Sequence, residues 1–138
     1  MAGSFTVQMQ AFRDKTKAQM RAVLGTSVQD VMEEAQLPEE DGGRIPVDTG
    51  ALRNSLVSEL NGAQLGQGPE SYTLAASQIE PGDVARFAWV AAHALRMEHG
   101  FVGEDSAGRT YNQSGKHFVE GAAAQWPAIV ARNVGKLK

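Results

Sequence analysis

The sequence predicts an α+β fold: a small antiparallel sheet of three to four strands packed by a long N-terminal helix and a C-terminal helix. Three observations predict it. Apolar residues recur at three- and four-residue steps from Phe12 to Ala35. Between Leu52 and Val90 the apolar runs are short, alternating and divided by turn residues, and from Gly115 a second helical stripe closes the chain. The 138 residues fit a single domain, residues 1–138, large enough to bury roughly two thirds of the surface its unfolded chain exposes.

Phe5, Val7, Met9 and Ala11 alternate with polar neighbours as a strand would, yet Phe5, Met9, Phe12 and Thr16 share a helical face. The first ten residues therefore admit both readings. From Phe12 the helix fits better, with Met20, Val23, Leu24, Val28, Val31, Met32 and Ala35 lining one side as far as about Gln36. Gly25 inside it costs up to about 1 kcal/mol relative to Ala and marks a bend or a close contact. Glu39 to Arg44 is a polar loop that delivers the chain to Pro46-Val47-Asp48-Thr49-Gly50. Pro46 fixes its own φ and pushes Ile45 out of the α region, so no helix runs through. Asp48 and Thr49 can bond nearby backbone N–H groups, Gly50 permits a positive φ, and Leu52 begins the next buried face. With Ser55 this stretch reads as a helix-to-strand corner rather than as a catalytic use of Asp48, Thr49 or Ser55.

Leu52, Leu56 and Leu60 fit two helical turns or one strand face, which a short helical turn leading into a strand reconciles. Asn61-Gly62 breaks that strand, and Gly66-Gln67-Gly68-Pro69 reads as a mobile connection. Tyr72, Leu74 and Ala76 alternate with polar or small neighbours, giving a second strand; Glu80-Pro81-Gly82-Asp83 is a strong turn; Val84 to Val90 is a third strand. Together they predict an antiparallel meander. Ala91 to Glu98 reads as a short helix capped by Gly100, and Phe101 to Gln113 as an extended loop with room for one more short strand. The last helix carries Phe118, Val119, Ala122, Trp126, Ile129, Val130 and Val134 on one side. Pro127 either kinks it or begins a new helix, and Gly135 to Lys138 should fray.

The formal charge of −3, from 16 acidic and 13 basic residues, gives no whole-surface nucleic-acid footprint. The distribution is uneven: Arg13, Lys15, Lys17 and Arg21 make the early helix basic, and Glu33, Glu34, Glu39, Glu40 and Asp41 make its exit acidic. That polarity suits either a solvated helix end or head-to-tail contacts around a ring. There is no cysteine, no basic leader followed by an apolar core, and no apolar run near 18 residues, so the expectation is a soluble, non-exported protein with no membrane partner.

Catalytic motifs are incomplete. Ser114-Gly115-Lys116-His117 resembles the end of a phosphate loop, but Thr110 stands where its first glycine belongs and His117 replaces the magnesium-binding hydroxyl. Gly66-Gln67-Gly68 with Ser71 is a partial dinucleotide fingerprint without its strand–helix context. His93, His99 and His117 with Glu98 or Asp105 match no zinc spacing, and no Gly-x-Ser-x-Gly elbow occurs. The expectation is a non-enzyme with no cofactor and no metal. A small-ligand-binding or enzymatic module built on the His93–His117 segment is the rival from another class.

Two segments carry a resemblance. Pro46-Val47-Asp48-Thr49-Gly50, with Leu52 and Ser55 beyond it, and Arg96-Met97-Glu98-His99-Gly100-Phe101 followed by a closing helix resemble the tail-completion, or tail-terminator, proteins of long-tailed bacteriophages. His93-Ala94 departs from the pattern, where an aromatic often stands. The resemblance implies a virion protein of the neck, made in the host cytoplasm. It would form a ring, expected to be hexameric, that caps the tail tube and docks onto the head-to-tail connector, with DNA passing through the lumen without specific binding. A connector-side stopper or minor tail assembly protein is the variant of that reading. Contacts with subunits or partners are expected at Arg53, Gln64, Gln67, Arg96, Met97, Glu98, Gly100, Phe101, Arg109 and Tyr111. The loops 61–71 and 101–113 would meet tube and connector, and the strands 52–60 and 84–90 would as sheet edges either pair across subunits or line the lumen. Deleting 61–71 should spare folding yet abolish head–tail joining.

Overall fold

The computed structural model describes residues 2–47, 50–104, 108 and 110–137, with side chains for these except 2–6, 101, 103, 104 and 110–113. Helix α1 spans Ala2–Ala35, a rod of about 50 Å at 1.5 Å per residue. It settles the ambiguity of residues 2–10 as helix. Only the C-terminal part of the rod is buried: Val28 and Met32 are each 5% exposed, whereas Met9 is 55% and Phe12 69% exposed. The helix stops ahead of Pro38, which has no N–H to donate and disfavours α geometry in the residue before it. A 3₁₀ turn, Glu39–Asp41, follows and ends at Gly42 with φ of 92°. Pro38 and Ile45 then pair as an isolated bridge, Glu39 N–H donates to the Ile45 carbonyl at 3.0 Å, and Ile45 is fully buried.

The junction proceeds as the residues dictate. Gly50 takes φ of 82° and opens the four-residue helix α2, Ala51–Asn54, whose Leu52 is buried. Ser55 Oγ donates to the Leu52 carbonyl at 2.7 Å, closing the corner into strand β1, Leu56–Leu60. Asp48 and Thr49 lie outside the described residues.

Beyond β1 the structure departs from the sequence expectation in three places. The supposed mobile connection contains strand β2, Ala63–Gln67, which pairs antiparallel with β1 through a two-residue turn. Asn61 and Gly62 both take positive φ there, 52° and 84°, the twist that joins two strands tightly. The supposed second strand is helix α3, Tyr72–Gln78, because the buried positions Tyr72, Ala75 and Ile79 follow a helical step while Leu74 is exposed. The supposed loop after Gly100 is a two-stranded hairpin, β4 Gly100–Glu104 and β5 Thr110–Ser114, with α4, Ala94–His99, just before it.

Strand β3, Ala85–Trp89, pairs with β1, so the three-stranded sheet has the order β2-β1-β3. It is antiparallel, but β1 is central. The expectation that residues 52–60 supply a free edge is therefore overturned; β2 and β3 are the edges. Leu56, Ser58 and Leu60 share a face with Trp89, Phe87 and Ala85 through the β1–β3 register. That face packs with Val28, Met32, Tyr72 and Ile79 to form the main core. At Pro127 the closing helix divides into α5, Phe118–Ala123, and α6, Trp126–Gly135, with the proline in the first turn of α6 where its missing N–H costs nothing. A second cluster joins Ile45, Leu52 and Phe118. Trp89 links the two, meeting Phe118 edge-on at 5.1 Å between ring centroids.

Candidate assembly surfaces

Two buried polar residues lock the body that any assembly surface must be mounted on. Gln36, 1% exposed, donates from Nε2 to the carbonyls of Arg53 and Pro69, both at 2.9 Å, and accepts from Trp89 Nε1 at 2.8 Å. Its own carbonyl accepts from Arg53 Nε at 2.8 Å. One side chain thus ties together the exit of α1, α2, the β2–α3 turn and β3. Glu98 holds the other end. Its carboxylate accepts the N–H groups of Val119 at 3.0 Å and Glu120 at 2.8 Å, which are free donors in the first turn of α5. Around it the backbone closes tightly: Lys116 and His117 N–H groups donate to the Met97 and Glu98 carbonyls. A Cβ on Gly115 would sit 2.5 Å from the Glu98 carbonyl oxygen.

These contacts relocate several residues expected to meet partners. Arg53 is half-buried and points inward to Gln36; Glu98 is 8% exposed and clasps α5; Met97 packs against the second core cluster. Gly100, with φ of 88°, turns the chain from α4 into β4. Gln64 and Gln67 are exposed on edge strand β2, and Arg96 is exposed on α4. Phe101 and Tyr111 lie in the hairpin, paired with Gln113 and Gly103 respectively, and their side chains are outside the described set; Arg109 is outside it altogether. Missed by the sequence reading were Gln36, Asn61 and the seam between α1 and α6. In that seam Asn133 Nδ2 donates to Ser27 Oγ at 3.0 Å and to Asp30 Oδ2 at 3.1 Å.

Residues 61–71 are not a detachable loop. Ser71 Oγ and Ser58 Oγ are 2.9 Å apart in the core, and Pro69 receives Gln36, so removing the segment would take out a strand and two buried anchors. Asn61 adds a third link, since its side chain bonds Asp83 Oδ1 at 3.1 Å and accepts from Val84 N–H at 2.9 Å. That amide, with the Glu80 N–H, holds the Asp83 carboxyl below the usual carboxylate range. Burial, reinforced by the charges of Glu33 and Glu70, pushes the Tyr72 hydroxyl above the usual tyrosine range.

Several large apolar side chains are exposed at the periphery. The N-terminal half of α1 presents Val7, Met9, Phe12 and Met20 to solvent. A groove of about 510 Å³ runs between β3, α4 and α5, walled by Trp89, Leu95, Phe118 and Val119, with Leu95 71% exposed. Val102 of the hairpin is 78% exposed. Of the histidines, His93 precedes α4, His99 ends it, and His117 Nδ1 lies 3.0 Å from Glu120 Oε2. Among the described residues no three His, Cys, Asp or Glu side chains are grouped to hold a metal ion, and no helix is long and apolar enough to cross a membrane. No protein-family model, curated protein or solved structure matches the chain.

Proposed function

We propose that this chain is a structural virion protein of the neck of a long-tailed bacteriophage, a ring-forming tail-completion or tail-terminator protein that caps the tail tube and joins it to the head connector. The observation that carries the reading is the kind of surface the body displays. Its buried Gln36 and Glu98 are spent on internal fastening, while large apolar side chains stand exposed on a projecting helix, a hairpin and a groove. Exposed apolar area of that kind suits contact with other proteins more than turnover of a small substrate. The two segments that resemble the tail-completion family are the corners that fix this display: one opens β1, and the other clasps α5 and starts the hairpin.

The mechanism is repetition of one heterologous contact until the rotation closes on itself, which ends growth at a fixed number of copies. A ring so made presents one face to the tube and the other to the connector. Edge strands β2 and β3 and the β4–β5 hairpin supply the contacts across those faces, in place of the central strand β1. DNA passes through the lumen without specific binding. A virus lacking this gene should accumulate filled heads beside unjoined tubes of irregular length. Normally joined particles would contradict the reading, and unjoined tubes of normal length would move the protein to the connector-side stopper.

A further inference from the structure

Building on the ring reading, we propose that the N-terminal half of α1 is the arm by which one copy grips the next. It lies in the neighbour's groove between β3, α4 and α5, beside the acidic turn that follows the neighbour's α1. Met9, Phe12, Thr16 and Met20 recur at three- and four-residue steps and so share one face of the helix. Farther along that face, Val23, Leu24 and Ser27 adjoin Trp126 and Val130 of α6. Thr16 and Met20 line the same seam between α1 and α6 with Val134 and Leu137 at the end of α6. Past that end the stripe runs on with Met9 and Phe12, each more than half exposed.

Charge chooses the occupant. The stripe is flanked by Arg13, Lys15, Lys17 and Arg21 against one acid, Asp14. Two arms packed on each other would bring like charges together, which disfavours pairing of arm with arm. The opposite charge lies at the other end of the same molecule, where Glu33, Glu39, Glu40 and Asp41 are exposed and Glu120 stands on the rim of the apolar groove. Lys116, on the approach to α5, holds Glu39 Oε2 at 3.0 Å, so the acidic turn and the groove adjoin. Arg44 beside Gly121 of α5, Arg96 on α4 and Lys116 stand near the groove as well. Its surroundings are therefore acidic on balance, and an apolar stripe with basic flanks faces an apolar groove of net opposite charge.

The arm cannot reach its own groove. Phe12 and Ala35 lie on one continuous helix, about 35 Å apart along its axis, and that rod does not fold back. The contact is therefore between copies and joins unlike surfaces, the type of interface that closes a ring.

The chain contains no cysteine, which allows a direct test. Phe12→Cys and Val119→Cys proteins are mixed and oxidised, and native mass is measured for the wild type and for Phe12→Asp, a change at an exposed position whose folding is checked by circular dichroism. The expected result is a disulfide-linked dimer in the mixture that neither variant forms alone, with self-association weakened by about tenfold or more in Phe12→Asp. A wild-type ring that persists unchanged in Phe12→Asp, with no cross-link, overturns the arm and leaves the ring reading standing. A wild type that is monomeric at every concentration, alone and on the tail-tube protein, overturns both. A Phe12→Asp ring that forms normally but no longer binds the tube reassigns the arm to the tube and overturns its docking on a second copy.

Discussion

Every polar atom of the Gln36 side chain is engaged: both amide hydrogens, the amide oxygen and, beside them, the backbone carbonyl meet segments 17 to 53 residues away. Gln36→Ala should lower stability by about 3 kcal/mol, since it takes the partner from two part-buried carbonyls and a part-buried indole N–H, and urea unfolding would measure it. Nothing local announces this role. In the sequence Gln36 is only the last polar residue of a helical pattern, and its partners become neighbours only once the sheet has formed. Glu98 was legible as part of a motif, but its orientation was not, because the N–H groups it receives belong to a helix that begins 20 residues later. Tyr72 supplies a pH test with a defined sign. Its hydroxyl is raised in the native state, so its contribution is intact below the ordinary tyrosine value of about 10 and is lost as pH rises through the native value. Tyr72→Phe should flatten that alkaline loss of stability. Asp83 works in the opposite sense, its contribution being present above the carboxylate range and lost as pH falls through its lowered native value.

Among the elements, those with a long or strongly marked pattern were legible and those decided by packing were not. The exit of α1, the corner at Gly50–Ser55, the turn at Pro81-Gly82, strand β3 and the break at Pro127 all follow from local rules about periodicity, proline and glycine. Strand β2 was hidden because Ala63, Gln64, Gly66 and Gln67 are weak strand formers; the Asn61-Gly62 turn and pairing with β1 make it a strand. Helix α3 was misread because Tyr72, Leu74 and Ala76 alternate over a stretch too short to separate the two periods. Gly25 was read as a bend or a close contact, and the close contact is what the helix pair uses. A Cβ there would come within 2.7 Å of the Ala76 carbonyl oxygen, a backbone atom of α3 with little room to yield. Gly25→Ala should therefore destabilise by about 1–3 kcal/mol through displacement of α3, despite a helix-propensity gain of up to about 1 kcal/mol. Thermal unfolding of the variant would show a lower midpoint if packing wins and a higher one if propensity does.

For the whole molecule, a small body carries an exposed helical arm, an apolar groove and two sheet edges, a combination that suits the ring closure proposed for it. The fold class was legible in full, because a long amphipathic helix, short strands and a closing helix leave few ways to bury their apolar faces. The assembly surfaces were legible only as composition: the basic start and acidic exit of α1 are visible in the sequence, but which of its apolar residues lack cover depends on where α6 ends. Salt follows from that polarity. If basic arms meet acidic turns, self-association should weaken as ionic strength rises, and light scattering between low and high salt would register the change. The most direct test of the central claim is the native mass of the purified chain over a range of concentrations, alone and with the tail-tube protein of the same virus. The account predicts a closed ring of one fixed copy number, near six, that either forms by itself or assembles on the tube and then stops growing. A monomer indifferent to the tube, or a polymer that lengthens without limit, would contradict it.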